Sequence, residues 1–151
     1  MRYLAVIIGI FGLELGIKNH IEETLEEGEK RPVCKGAFLV RKYHNRGAFL
    51  NVGEKRRKVV AVMSALLSLI LTALFIASFT AMGSGLLKWG LTVMLGGAYS
   101  NTYDRLKRKY VVDYVSFNVP FQRLRQVVFN LGDFCIMIGA MLSVLSEICK
   151  K

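Results

Sequence analysis

Two aspartates stand where their neighbours argue against them. Asp133 lies six residues inside an apolar run that opens at Val127, and Asp113 lies twenty residues earlier in the alternating segment VVDYVSF. A charged aspartate at the centre of a membrane-spanning helix costs about 3 kcal/mol on insertion scales, so an acid kept there reads as functional. Near a helix start, the helix dipole and water also tolerate a carboxylate, and Asp133 alone is compatible with that role. The pair says more. The chain between the two, which contains Pro120, is long enough to fold back and bring the side chains together. Two carboxylates held close share one proton, because both cannot ionise cheaply side by side, and such a dyad activates water.

The elements that must hold this pair are set by composition. The chain has 151 residues, 53% of them hydrophobic and 21% charged, with a mean hydropathy of +0.38. That is too apolar for an average soluble domain and too charged for a chain buried in lipid throughout. A small membrane protein with charged connections is expected. The net charge of +10 is compatible with nucleic acid. Its Lys and Arg lie outside the long apolar runs, however, which favours anionic membrane lipids as partners and no nucleic acid.

Four spans are expected, at about residues 3–17, 59–81, 86–101 and 127–148 of a single membrane-embedded domain covering 1–151. The uncharged stretch 59–87 is too long for one span, and MGSG (Met82 to Gly85) supplies the break. Lys88 can snorkel to the interface. The first span is not read as a cleavable signal peptide, since no small-x-small site follows and Glu14 and Lys18 interrupt the region where one belongs.

The surface segments, about 18–58 and 102–126, carry strand-length apolar pieces: AFLV, GAFL and the alternating VVDYVSF. They predict a small β platform on one membrane face, so the fold class is mainly α, four transmembrane helices with that platform. Asn19 is placed to cap a short acidic helix. The first segment holds eleven Lys/Arg and the second six, against four elsewhere, so charge alone puts the platform in the cytoplasm.

Four segments, in order, resemble the motifs of the lipoprotein signal peptidases (signal peptidase II). GGAYSNTYDRL (Gly96 to Leu106) is similar to that family's G-G-A-x-G-N-x-x-D-R, VVDYVSF to its V-x-D-[FY]-[IV] strand, FNLGD (Phe129 to Asp133) to its F-N-x-A-D helix start, and NRGAF (Asn45 to Phe49) to its N-x-G-A segment. The resemblance spans essentially the whole chain. It implies an intramembrane aspartic endopeptidase that removes the signal peptide from diacylglyceryl-modified prolipoproteins, with Asp113 and Asp133 as the catalytic aspartates, no metal and no cofactor. It also implies a monomer in the bacterial cytoplasmic (inner) membrane, with cytoplasmic termini and the active site near the outer face. That orientation opposes the charge count and is preferred, because the lipidated cysteine is presented at the outer leaflet.

Among the matching positions, Asn101 and Arg105 are four apart and share a helical face, and Asn130 precedes Asp133 by three. With Asn45 they are read as substrate contacts; as plain structure, the asparagines would be caps or turns and Arg105 a partner of Asp104. Glu14 and Lys18 keep the spacing of the family's Asp and Lys at the end of helix one, so an i, i+4 ion pair is available there. Glu14, Lys18, Gly47 and Asp104 are read as structural support. The departures are Phe49 where a small residue is usual, Ser100 for glycine, and Gly132 for alanine, the last loosening its helix by about 1 kcal/mol. They suggest a divergent paralogue with altered substrate preference.

A small proton-coupled transporter using Glu14 is the rival class, and a silent binder of lipidated signal peptides a third. Cys34, Cys135 and Cys149 are odd in number and lack C-x-x-C spacing, which speaks against a disulfide framework or metal site. His20 and His44 are expected on the surface. Gly12 and Gly16 have the spacing of a close helix approach.

Overall fold

The structure, a computed structural model, describes residues 1–48, 53–80 and 84–149. In chain order it comprises helix α1 (Arg2–Thr24), strands β1 (Lys30–Val33) and β2 (Phe38–Asn45), helices α2 (Arg57–Thr80) and α3 (Gly85–Lys107), strand β3 (Val111–Phe117), the short helix α4 (Gln122–Gln126) and helix α5 (Leu131–Ile148). The molecule is mainly helical with one small antiparallel sheet. Among the described residues, three helices are long and apolar enough to cross a membrane: α1, α2 with its leading turn from Glu54, and α5. The α3 helix stands apart from these three, because Thr92, Ser100, Asn101, Thr102, Asp104 and Arg105 interrupt its apolar face.

Polar α3 lies at the centre, packed against α1, α2 and α5. Its contact with α5 is glycine-lined. A Cβ at Gly97 would overlap the carbonyl oxygen of Gly132, and one at Gly139 would overlap that of Gly90. Such backbone-to-backbone approach is how helices associate where apolar burial gives no preference over lipid. Hydroxyls hold α2 to α3, Ser68 Oγ meeting Thr102 Oγ1 at 2.8 Å and Thr72 Oγ1 meeting Tyr99 OH at 2.6 Å. At Gly12 and Gly16 a Cβ would stand in open space, with nothing within 4 Å of it, so their spacing marks no helix contact.

The strands sit at one end of the helices, since the sheet joins the C-terminal ends of α1 and α3 to the N-terminal ends of α2 and α5. Strand order is β1-β2-β3, with β3 paired antiparallel to β2 through an irregularity between Val40 and Tyr43 that leaves Tyr43 opposite Asp113. The expected AFLV strand falls within β2 apart from Ala37. Of GAFL, Phe49 and Leu50 lie outside the described residues, as do Met82 and Gly83 of the expected break. Exposed β1, with Pro32, is an edge strand the apolar pattern did not signal.

Two expected boundaries move. The acidic segment after Lys18 is no separate capped helix but the last turns of α1, where Ile21 and Leu25 pack with Val112 and Tyr114 of β3; the Asn19 side chain instead accepts a hydrogen bond from Arg108. The last helix starts at Leu131 rather than Val127, because Phe129 is taken by the sheet: its N–H donates to the Val115 carbonyl at 2.7 Å and its carbonyl accepts from Tyr114 and Val115.

Candidate active site

Asp113 lies in the middle of β3 and is 1% exposed. Both its oxygens are occupied: Asn45 Nδ2 donates to Oδ2 at 2.9 Å and Asn130 Nδ2 to Oδ1 at 2.7 Å. Asp133 is the third residue of α5, half-buried, and closes a reciprocal cap with Asn130. The Asp133 backbone N–H donates to Asn130 Oδ1 at 2.8 Å, and the Asn130 backbone N–H donates to Asp133 Oδ2 at 3.1 Å. Asn101 Nδ2 of α3 donates to the remaining Oδ1 at 2.8 Å. One asparagine thus binds both carboxyl groups. A 400 Å³ cavity lined by Tyr43, Asn45, Asp113, Arg123, Gln126, Val127 and Val128 opens on Asp113.

Burial, first, and the neighbouring Asp133 charge, second, push the Asp113 carboxyl up to about 7, against the pull of the Asn45 and Asn130 donors. Asp113 therefore holds its proton toward neutral pH beside a second carboxyl, the condition for general acid work at this place.

Asn45, Asn101 and Asn130, expected as substrate contacts, are all committed to the aspartates by one N–H. Their oxygens are committed as well: Gly47 N–H donates to Asn45 Oδ1 at 3.1 Å, Lys18 Nζ to Asn101 Oδ1 at 2.9 Å, and the Asp133 N–H to Asn130 Oδ1 at 2.8 Å. Arg105 does not pair with Asp104. Its guanidinium donates to the carbonyls of Asn101 and Gly47, each at 3.3 Å, and its buried Nε has no partner among the described residues.

Behind Asp133 lies a buried charged cluster. Lys18 Nζ, fully buried, is 3.3 Å from Glu14 Oε1 and 3.0 Å from Asp104 Oδ2, and also donates to Ser100 Oγ at 3.0 Å. Asp104 further pairs with Arg108 at 3.0 Å and accepts the Val112 N–H at 3.2 Å, fixing the start of β3. Tyr114, unsignalled as a site residue, donates to Glu14 Oε2 at 2.8 Å and accepts the Leu131 N–H at 3.0 Å, tying α1 and β3 to the first turn of α5. Burial and the Glu14 charge push the Tyr114 phenol up, which keeps it a donor. The sequence signals were the aromatic position after Asp113 in the strand motif and alternation, which sets Tyr114 on the face opposite Asp113.

Elsewhere, Cys34 and Cys149 are exposed and Cys135 buried, all with free thiols. No group of three or more His, Cys, Asp or Glu side chains could hold a metal among the described residues. His20 is exposed as expected. His44 is instead partly buried, its ring nitrogens 2.8 Å from Glu22 and 2.9 Å from Glu27 and its ring stacked on Tyr110.

A family profile described as signal peptidase (SPase) II matches residues 6–149. A lipoprotein signal peptidase of Halothermothrix orenii is 32% identical over 96% of this chain and 93% of its own length. One of Brucella ovis is 31% identical over 95% and 88%, and one of Mesorhizobium japonicum 29% over 97% and 84%. Two solved bacterial membrane enzymes share the fold at 17% identity, with TM-scores of 0.83 and 0.80, each covering 97% of this chain and 87% and 92% of the solved chains. The chain belongs to the signal peptidase II family, as a multi-pass bacterial membrane peptidase.

Proposed function

We propose that this chain is an aspartic endopeptidase that removes the signal peptide from diacylglyceryl-modified prolipoproteins, acting near the outer face of the cytoplasmic membrane. The observation that carries the reading is the double engagement of Asn130, whose side chain donates to Asp113 and caps Asp133. One carboxylate takes a proton from water while the other, protonated, donates to the scissile carbonyl oxygen. The resulting tetrahedral intermediate collapses as the amide nitrogen receives a proton, and the roles exchange. The second N–H of each asparagine and the Arg105 guanidinium stand close enough to the carboxyl groups to steady a substrate backbone. No cofactor enters this scheme, and one copy of the chain supplies every group named.

The transporter reading needs a membrane carboxylate open to a cation. Glu14 is 0% exposed and engaged by both Lys18 and Tyr114, which disfavours it. Asp113→Asn and Asp133→Asn, purified and incubated with a diacylglyceryl prolipoprotein in a gel-shift assay, are each expected to abolish cleavage with the helical content unchanged. Cleavage by either variant would overturn the dyad, and a wild-type chain that binds but never cuts would make it a silent binder. Exposed Cys34, beside β1, reports orientation: a membrane-impermeant thiol reagent on intact cells should label it, and protection would put the platform in the cytoplasm.

A further inference from the structure

A second cavity, of about 800 Å³, lies between the start of α2 and the end of α3. Six cations line it: Lys55, Arg56, Arg57, Lys58, Arg105 and Lys109. No carboxylate is among its lining residues. Lys55, Arg56, Arg57 and Lys58 are exposed, and none forms an ion pair among the described residues. Four like charges in a row repel one another, so an arrangement without internal counter-charge calls for an external anion.

The floor of the cavity is of the opposite character. Val59, Val62 and Leu106 line it and are 55%, 56% and 51% exposed. The cations stand at the mouth of the most apolar helix, since the most apolar 18-residue stretch within Glu54–Thr80 has a mean hydropathy of 2.7 and only 6% of that stretch is buried by protein. A cationic rim one turn from a lipid-facing apolar wall is the layout of a phospholipid at the interface, headgroup above and acyl chains below. A free phosphate would use the rim and leave the floor bare.

We propose that this cleft binds one membrane phospholipid with an anionic headgroup, its phosphate held by the Lys55–Lys58 rim and its acyl chains against Val59, Val62 and Leu106. Arg105 lines the cleft and also donates to the carbonyl of Asn101, whose side chain holds Asp133. The lipid therefore sits against the wall of the site that holds the two aspartates. The binding claim does not rest on peptidase activity and is read without it.

The test is native mass spectrometry of the full chain in detergent with equal amounts of phosphatidylglycerol and phosphatidylcholine. Phosphatidylglycerol should be retained preferentially. Replacing Lys55, Arg56, Arg57 and Lys58 together by Gln should weaken that retention at least about tenfold. A control losing four exposed cations elsewhere, Lys30, Lys35, Arg123 and Arg125, should leave it within about twofold. Arg57→Gln alone, at the exposed first residue of α2, should shift retention in the same direction and guards against misfolding of the quadruple variant. Val62→Ser should weaken retention of the lipid without changing binding of glycerol phosphate. Equal losses in both quadruple variants would reduce the effect to diffuse charge and overturn the site. Glycerol phosphate binding as tightly as the lipid would make it a phosphate site instead, and equal retention of phosphatidylcholine would also sink it.

Discussion

Lys18 holds the side-chain oxygen of Asn101 at 2.9 Å, across 83 residues of sequence. An amide whose oxygen is pinned by an ammonium must turn its N–H₂ the other way, and Asn101 Nδ2 does so, donating to Asp133 at 2.8 Å. The buried cation therefore sets the orientation of a donor to one of the two aspartates without touching it.

Removing that cation should act twice. Lys18→Met leaves Glu14 buried without its counter-charge and Asp104 with Arg108 alone, a loss of about 3–5 kcal/mol, and frees the Asn101 amide to rotate. Thermal unfolding in detergent should show the first effect and a fall in kcat larger than any rise in KM the second. Ser100→Ala removes one of several acceptors around Nζ and should cost only about 1 kcal/mol, with kcat kept.

Asn130 joins capping to chemistry, and two substitutions separate them. Asn130→Asp preserves an N-cap of similar strength, yet replaces the N–H₂ that serves Asp113 by a third acid. Its stability should stay near that of the parent at neutral pH while cleavage falls on the order of a hundredfold. Asn130→Ala loses the cap too, and should lower stability by about 1 kcal/mol or more. Equal stability losses in both would show that the cap contributes little.

With Asp113 held up to about 7, pH should show in both activity and stability. As pH rises through 7 the proton shared by the dyad is lost, so kcat/KM should decline on that limb. The stability sign is set by linkage. The native carboxyl keeps its proton up to about 7 whereas the unfolded one loses it near 3.9, so the native state binds the extra proton between those values. Asp113 consequently subtracts stability as pH rises across that window and adds no further slope above it. Unfolding temperature measured against pH should fall more steeply for the parent than for Asp113→Asn.

The glycines at the α3–α5 contact should respond unequally. A Cβ on Gly97 overlaps a backbone oxygen, which cannot step aside, so Gly97→Ala should cost about 1–3 kcal/mol or more and disturb the Asn101–Asp133 bond one turn away. At Gly132 the nearest atoms are Asn130 Oδ1 at 3.0 Å, the Gly97 carbonyl oxygen at 3.2 Å and Asn101 Oδ1 at 3.4 Å. Small shifts accommodate a methyl there, and the gain in helix propensity of about 1 kcal/mol should leave Gly132→Ala close to neutral in unfolding and cleavage assays.

The sequence by itself determined the long apolar helices, since a run such as 59–80 has no soluble alternative, and it determined the strand around Asp113, because period-two alternation bounded by polar residues has few other readings. It also singled out the two aspartates and the i, i+4 pair of Glu14 and Lys18, whose partners are local or whose cost in apolar surroundings is plain. What only the tertiary structure decided are relations across distance. Asn45, Asn101 and Asn130 look alike as residues, and nothing local shows that each turns a donor on a carboxyl group; that follows from β2, α3 and α5 converging at one end of the helices. Tyr114 and Ser100 became site neighbours the same way, through α1 laying Glu14 and Lys18 against them. Gly12 and Gly16 had the spacing for close packing and make none, while Gly97 and Gly132 touch, because spacing marks a helix face and only packing chooses which face meets another.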